Sequence, residues 1–292
     1  MHRQHGEAAL PASCFHFPRR ALIDDRGVVV SLSHFCPTAA ELLISTPGPL
    51  EIVADPPAFP TTREYEGLDG RHAWPPLVKA DLLFDLSAFS RWERLLVTWL
   101  GQSDGPIAPV LQRIAVLAEH LRRWTPEAGS LEAWLTAAAD APSASTADLS
   151  SAWQRYGAYA DLRAYERLLT AVPDGFRVPV ITDALRAGWP AIDRAGAVPA
   201  RIARRYVAAK AFGSWVAYEA RGVRTMVAEM VLADLVLRVE AARATVPRQD
   251  GLDTRTLVEV VRAADWLLVH AVDRDALIRW LGDAEGGHPE RR

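Results

Sequence analysis

Cysteine and lysine are nearly missing from this chain of 292 residues: Cys14, Cys36, Lys79 and Lys210 are all there are. Two cysteines cannot build a disulfide framework, so reduced thiols and a cytoplasmic setting are expected. Arginine supplies nearly all the positive charge, a bias that with the abundant alanine suggests a high-GC coding sequence. The net charge of −3 leaves no electrostatic footprint for nucleic acid. Long apolar runs are missing too. The most hydrophobic stretch, Tyr206 to Val239, is interrupted by Lys210, Glu219, Arg221, Arg224, Glu229 and Asp234. A membrane-spanning helix needs about 20 predominantly apolar residues, so this stretch predicts a buried helix and no membrane partner. The opening MHRQHGEAAL lacks the apolar middle of a signal peptide, and no targeting segment is expected. No G-x-G-x-x-G segment follows a predicted strand, and no G-x-S-x-G elbow occurs. A nucleotide cradle and a serine hydrolase of those kinds are therefore not indicated.

What is there predicts an α+β fold, mostly α, with a small N-terminal β-hairpin module packed on a multi-helix bundle. Arg20–Ile23 and Val28–Leu32 read as strands around the turn Asp24–Gly27, where Gly27 supplies positive φ. Pro37 to Glu41 reads as a helix start, with Thr38 capping and Glu41 three residues on. Leu50–Val53 reads as a short strand. Residues 1–60 thus form one module, and 61–86, within a proline- and glycine-rich stretch, form an irregular connection. Residues 87–285 form the helical part, with a flexible loop near 140–149. Phe89, Trp92, Leu95, Leu96 and Trp99 follow helical spacing, as do Val110, Ile114, Leu117 and Leu121. Further helices are predicted over 148–171, over 199–245 with breaks at Gly213 and Gly222, and over 253–271 and 273–283.

Around the hairpin lies the most chemically suggestive pattern, Cys14-Phe15-His16 before it and His34-Phe35-Cys36 after it. Extending the hairpin outward sets Cys14 beside Cys36 and His16 beside His34. Residues two apart on a strand share a face, so all four could converge on zinc or on an iron–sulfur cluster. Pro18 opposes this, because it cannot donate to a ladder. The competing reading is packing, since a buried cysteine behaves as a small apolar side chain. Elsewhere, Lys210 among alanines and aromatics is either a perturbed amine or, more commonly, an outward-pointing lysine. Tyr206, Lys210 and Tyr218 would lie near one another on a helix. Glu219, Arg221 and Arg224 read as a solvated face, His270 as a satisfied core histidine and His120 as surface. Trp92, Trp99, Trp134 and Trp280 read as core. Asp85, Glu93 and Asp104 show no pairing for acid–base work.

The segment Gly6-Glu-Ala-Ala-Leu-Pro11-Ala-Ser-Cys14-Phe-His-Phe17-Pro18-Arg resembles the G-E-x-x-L-P-x-x-C-R-x-[FY]-P-R segment of the cysteine-cluster proteins. That family, with its zinc- or iron-chelating domain, includes the flagellin lysine N-methylases. Leu22 to Val28 and Leu32-Ser-His-Phe-Cys36-Pro are similar to its next strands and last cysteine, and Tyr206 to Trp215 to a late helical element. The family's further cysteines, a C-x-x-C-x-x-C-C cluster ahead of the H-x-x-x-G segment matched by His2 and Gly6, have no counterpart here. The resemblance implies an iron–sulfur or zinc protein with Cys14 and Cys36 as downstream ligands, to which the hairpin spacing adds His16 and His34. It also implies S-adenosylmethionine as methyl donor and a protein lysine as acceptor. Two alternatives stand beside that reading: a non-catalytic metal-binding or interaction protein, and an inactive, truncated member.

Overall fold

The computed structural model describes residues 11–56, 64–102, 105–141, 145–195, 198–219, 221–245 and 252–286. The protein is mostly helical with two small sheets. After a short helix α1 (Ala12–His16) and a cis Phe17–Pro18 bond comes the hairpin β1 (Arg19–Asp24) and β2 (Gly27–Leu32). Its register is Ile23 opposite Val28 and Arg19 opposite Leu32, and Gly27 adopts φ 110° at the turn. One more bond, Ser33 N–H to the Pro18 carbonyl at 2.7 Å, closes its open end. Helix α2 (Pro37–Ser45) follows. It is not capped by Thr38: Cys36 holds the cap position without a side-chain bond, and Pro37, whose missing N–H costs nothing there, opens the helix.

Leu50–Val53 is irregular, not a strand. The third strand of the sheet is β3 (Gly67–Asp69), parallel to β1, giving the order β2-β1-β3. Gly67 is required there. A Cβ would lie 2.0 Å from the Ala21 carbonyl oxygen, so the strand could not approach. Gly67→Ala is expected to lower stability by about 1–3 kcal/mol, read as a drop in urea midpoint; an unchanged midpoint would mean that β3 pairs only weakly with β1. The second sheet is the small antiparallel pair β4 (Leu77–Lys79) and β5 (Leu82–Leu83).

The helical part comprises α3 (Leu86–Gly101), α4 (Ala108–Leu121), α5 (Leu131–Asp140), α6 (Thr146–Gln154), α7 (Gly157–Ala160), α8 (Leu162–Thr170) and α9 (Asp183–Ala195). It continues with α10 (Ala200–Ala211), α11 (Val216–Glu219), α12 (Val223–Thr245), α13 (Thr254–Asp265) and α14 (Arg274–Leu281). A π-helical turn, Trp266–Ala271, continues α13. The stretch predicted as one helix over 148–171 is therefore three short ones, and α9, with Pro190 inside it, has no sequence-based counterpart. Gly213 (φ 60°) and Gly222 (φ 152°) do break the 199–245 stretch.

Helix α12 is apolar around its circumference and accordingly lies in the centre, packed by α4, α7, α8, α9, α10, α11, α13 and α14. Its charges are paired: Arg224 with Glu119 of α4 at 2.6 Å, and Glu240 with Arg243 and the Tyr165 hydroxyl. Arg224 thus lies in the interior, contrary to the solvated face expected for it. On α10, two neighbouring buried arginines bind carbonyls at helix ends: Arg204 donates to Leu100 at 3.0 Å and Arg205 to Leu43 at 3.0 Å. Cations at C-termini satisfy the last carbonyls and complement the dipole. This anchors α2 and α3 to α10, and it shapes the site described next. Among the described residues, no helix is long and apolar enough to cross a membrane.

Candidate functional site

The hairpin docks on the bundle through two charged contacts. At its tip, Arg26 bonds Asp24 at 2.7 Å and Glu93 of α3 at 2.6 Å. Glu93 also accepts the Gly213 N–H at 2.9 Å, and the Tyr218 hydroxyl donates to Asp24 at 2.6 Å. Asp24 is held below its ordinary value because the bonds from Arg26 and Tyr218 outweigh burial. So Glu93 is a docking residue, Asp85 caps α3 through the Ala88 N–H at 2.7 Å, and Tyr218 bonds the hairpin at Asp24.

At its base, residues 33–36 lie against the end of α13. Asp265, wholly buried, accepts from Lys210 Nζ, from Ser33 Oγ at 2.8 Å and from the Phe35 N–H at 3.0 Å. Arg262 adds a bond to the Phe35 carbonyl at 2.9 Å. Burial alone would raise the Asp265 carboxyl; the Lys210 ammonium beside it reverses that and holds it down at about 2. Burial pulls Lys210 below its ordinary value against the opposing attraction of Asp265. Lys210 is thus an interior, paired lysine and not the outward-pointing one expected. His270, on the π-helical turn, is exposed rather than the core histidine expected, and its Nε2 lies 2.9 Å from Ser33 Oγ.

Serine, histidine and aspartate together invite a nucleophile reading, and the bonding rejects it. The Ser33 proton goes to the ionised Asp265, the stronger acceptor, so His270 donates to Ser33 Oγ rather than receiving from it. A carboxyl at about 2 is also a poor base near neutrality. The cluster is a structural clamp.

Above the clamp opens a cleft of about 370 Å³ between β2, α2, the irregular strip 50–53 and α10. Its walls are apolar: Val30, Leu32, Leu42, Leu43, Leu50 and Phe212. Leu42, Ile52 and Val53 stay substantially exposed around it. His34 lines it as well, only 4% exposed. Burial first, then the Lys210 and Arg20 cations, push His34 down to about 3, with Asp265 opposing. The imidazole is therefore neutral, and its Nδ1 is buried without a hydrogen-bond partner. The Tyr206 ring stands edge-on to His34 at 6.1 Å, and its buried hydroxyl also lacks a partner.

The four sulfur and imidazole residues are placed differently from the strand geometry that spacing implied. Cys14 and His16 lie on α1 rather than on an extension of β1, because the chain turns at Phe17–Pro18. Cys14 is exposed, and Cys36 is partly buried at the α2 cap. His16 approaches Glu66 at 3.6 Å, with its Nδ1 unpartnered, and His34 faces the cleft. Among the described residues, no three His, Cys, Asp or Glu side chains are grouped as a metal ion would need. His2 and Gly6, part of the family-like segment, lie outside the described residues.

Sequence reasoning passed over Ser33, Asp265 and the cleft itself. Asp265 reads locally as the polar end of an amphipathic helix, and its partners lie 55 and 232 residues away. The one local signal was Lys210, a lone lysine in an alanine-rich stretch. Comparison with known proteins finds no matching family model, no matching curated protein and no matching solved structure.

Proposed function

We propose that this chain is a binding protein, and that its site is the apolar cleft between the hairpin module and the bundle. The observation that carries this is His34. A neutral, nearly buried imidazole with an unpartnered nitrogen lines a cleft whose other walls are largely aliphatic. Buried polar atoms are nearly always bonded, and one left open at a cleft calls for a bonding group from outside. Small-molecule sites have this composition, apolar walls with a few polar groups, and volumes of about 300–1,000 Å³. The ligand class is a small, mainly apolar molecule with one hydrogen-bonding group. The metal-cluster and methyl-transfer reading rests on the sequence resemblance alone.

Titration with the neutral apolar dye Nile red tests the proposal, with enhanced, saturable fluorescence expected. Leu42 is 51% exposed and lines the cleft, so Leu42→Arg leaves the core intact. It sets a guanidinium against the apolar ligand, which costs more than about 1.4 kcal/mol, so affinity is expected to fall by about tenfold or more. Equal titrations for the two proteins would defeat the cleft as the site.

A further inference from the structure

We infer that the ligand's polar part is an uncharged amide held by the open edge of β2: the cleft is built for a small apolar amide. This rests on the cleft being the binding site and adds the chemistry of the group it holds.

Three features converge. First, the cleft runs along the edge of a strand. Side chains alternate between the two faces of a sheet, yet Val30, Ser31 and Leu32 in succession line the cleft. A hollow that touches both faces lies beside the strand. β2 is outermost in the order β2-β1-β3, and among the described residues no strand pairs with its other side. The Ser33 N–H bonds the Pro18 carbonyl, so backbone groups at odd positions of β2 turn to β1. Those of Val30 and Leu32 therefore point outward, along the cleft. A free edge offers N–H donors and C=O acceptors in turn.

Second, the lining suits an uncharged group. Among the described residues lining the cleft, an anion finds no counter-charge, and a cation finds only Glu51, exposed in solvent on the strip 50–53. His34 contributes a neutral ring. A charge brought here sheds its water without compensation. A carboxylate also answers the N–H groups alone and an ammonium the C=O groups alone, whereas an amide donates and accepts at once. It serves His34 in either tautomer as well.

Third, the remaining walls are aliphatic, with Leu42, Leu43, Leu50 and Ile52 among them. They suit an apolar substituent on the amide. Its burial drives binding without direction, and the strand edge supplies the orientation.

The test is calorimetric titration of the full chain at neutral pH with decanamide, methyl decanoate, decanoate and decylamine, which share an apolar tail and differ in head group. An ester is less strongly hydrated than an amide, so in a cleft without polar partners the ester binds tighter. Bonds to the strand edge reverse that order. Decanamide is expected to bind about threefold or more tighter than methyl decanoate, and about tenfold or more tighter than either ion. Amide hydrogen exchange locates the head group: with decanamide bound, the N–H of Val30, of Leu32 or of both is expected to exchange about tenfold or more slowly. Methyl decanoate or either ion binding as tightly as decanamide overturns the amide assignment but leaves the cleft as the site. Unaltered exchange at both Val30 and Leu32 overturns the pairing with β2. If none of the four ligands and no Nile red binds, the cleft reading itself fails.

Discussion

Asp265→Ala is expected to cost about 3–5 kcal/mol of unfolding free energy, the range for breaking a buried ion pair from one side. Its carboxylate has no solvent contact and accepts from an ammonium, a hydroxyl and a backbone N–H at once. Removing it leaves Lys210 charged in a site that has lost its counterion, and it leaves Ser33 and Phe35 with buried donors. The penalty arises from those stranded groups rather than from the attraction itself. The double variant Asp265→Leu with Lys210→Met, which removes both charges, is therefore expected to recover much of the loss. Urea unfolding followed by tryptophan fluorescence gives both numbers. A single-variant loss below about 1 kcal/mol, the range of solvent-exposed pairs, would mean that water reaches the pair.

Acid should weaken the protein through His34 before Asp265 protonates. Its ordinary value is 6.5, and the fold pushes it down to about 3, chiefly by burial. Above about 6.5 the imidazole is neutral in both folded and unfolded chains, so it adds no pH dependence there. Below that, the unfolded chain takes up a proton that the folded one refuses, and stability falls until the folded value is reached near 3. The full span corresponds to a loss on the order of 4–5 kcal/mol. Asp265 behaves oppositely in cause and later in pH. Its folded value is depressed from 3.8 to about 2, so its contribution is intact above about 4 and fades only as pH falls toward 2. His34→Gln is thus expected to flatten the stability profile between about pH 6.5 and 4, leaving a slope from His270 and His120, which burial also lowers. Denaturant midpoints taken across that interval measure it. An unaltered profile in the variant would exclude His34 as the acid-sensitive group.

Local chemistry made parts of this fold legible. Asp24-Asp-Arg-Gly27 is a turn by composition, and the register Ile23 opposite Val28 follows from it. Gly213 and Gly222 mark breaks because their positive φ excludes most other residues. The strand alternation failed beyond Arg19, where Phe17–Pro18 turns the chain and Cys14 and His16 coil into α1. β3 escaped notice because three residues, Gly-Leu-Asp, carry no alternation, and a parallel partner 46 positions away, as Gly67 is from Ala21, leaves no local trace. The clamp was illegible for the same reason. Asp265 looks ordinary on its own helix, and only tertiary packing makes it the counterion of Lys210. The cleft is hidden too, since one of its walls is the irregular strip 50–53.

The bond between Ser33 and Asp265 joins positions 232 residues apart, and that distance sets a timetable. A ribosome adding about 5–20 residues per second needs roughly 10–50 s to go from one to the other. For that interval the newborn hairpin base has no counterpart to grip, and the leucines of α2 wait uncovered. Completion of the clamp is thus among the last acts of biosynthesis, and a nascent chain stalled before α13 would emerge with the base of its hairpin undocked.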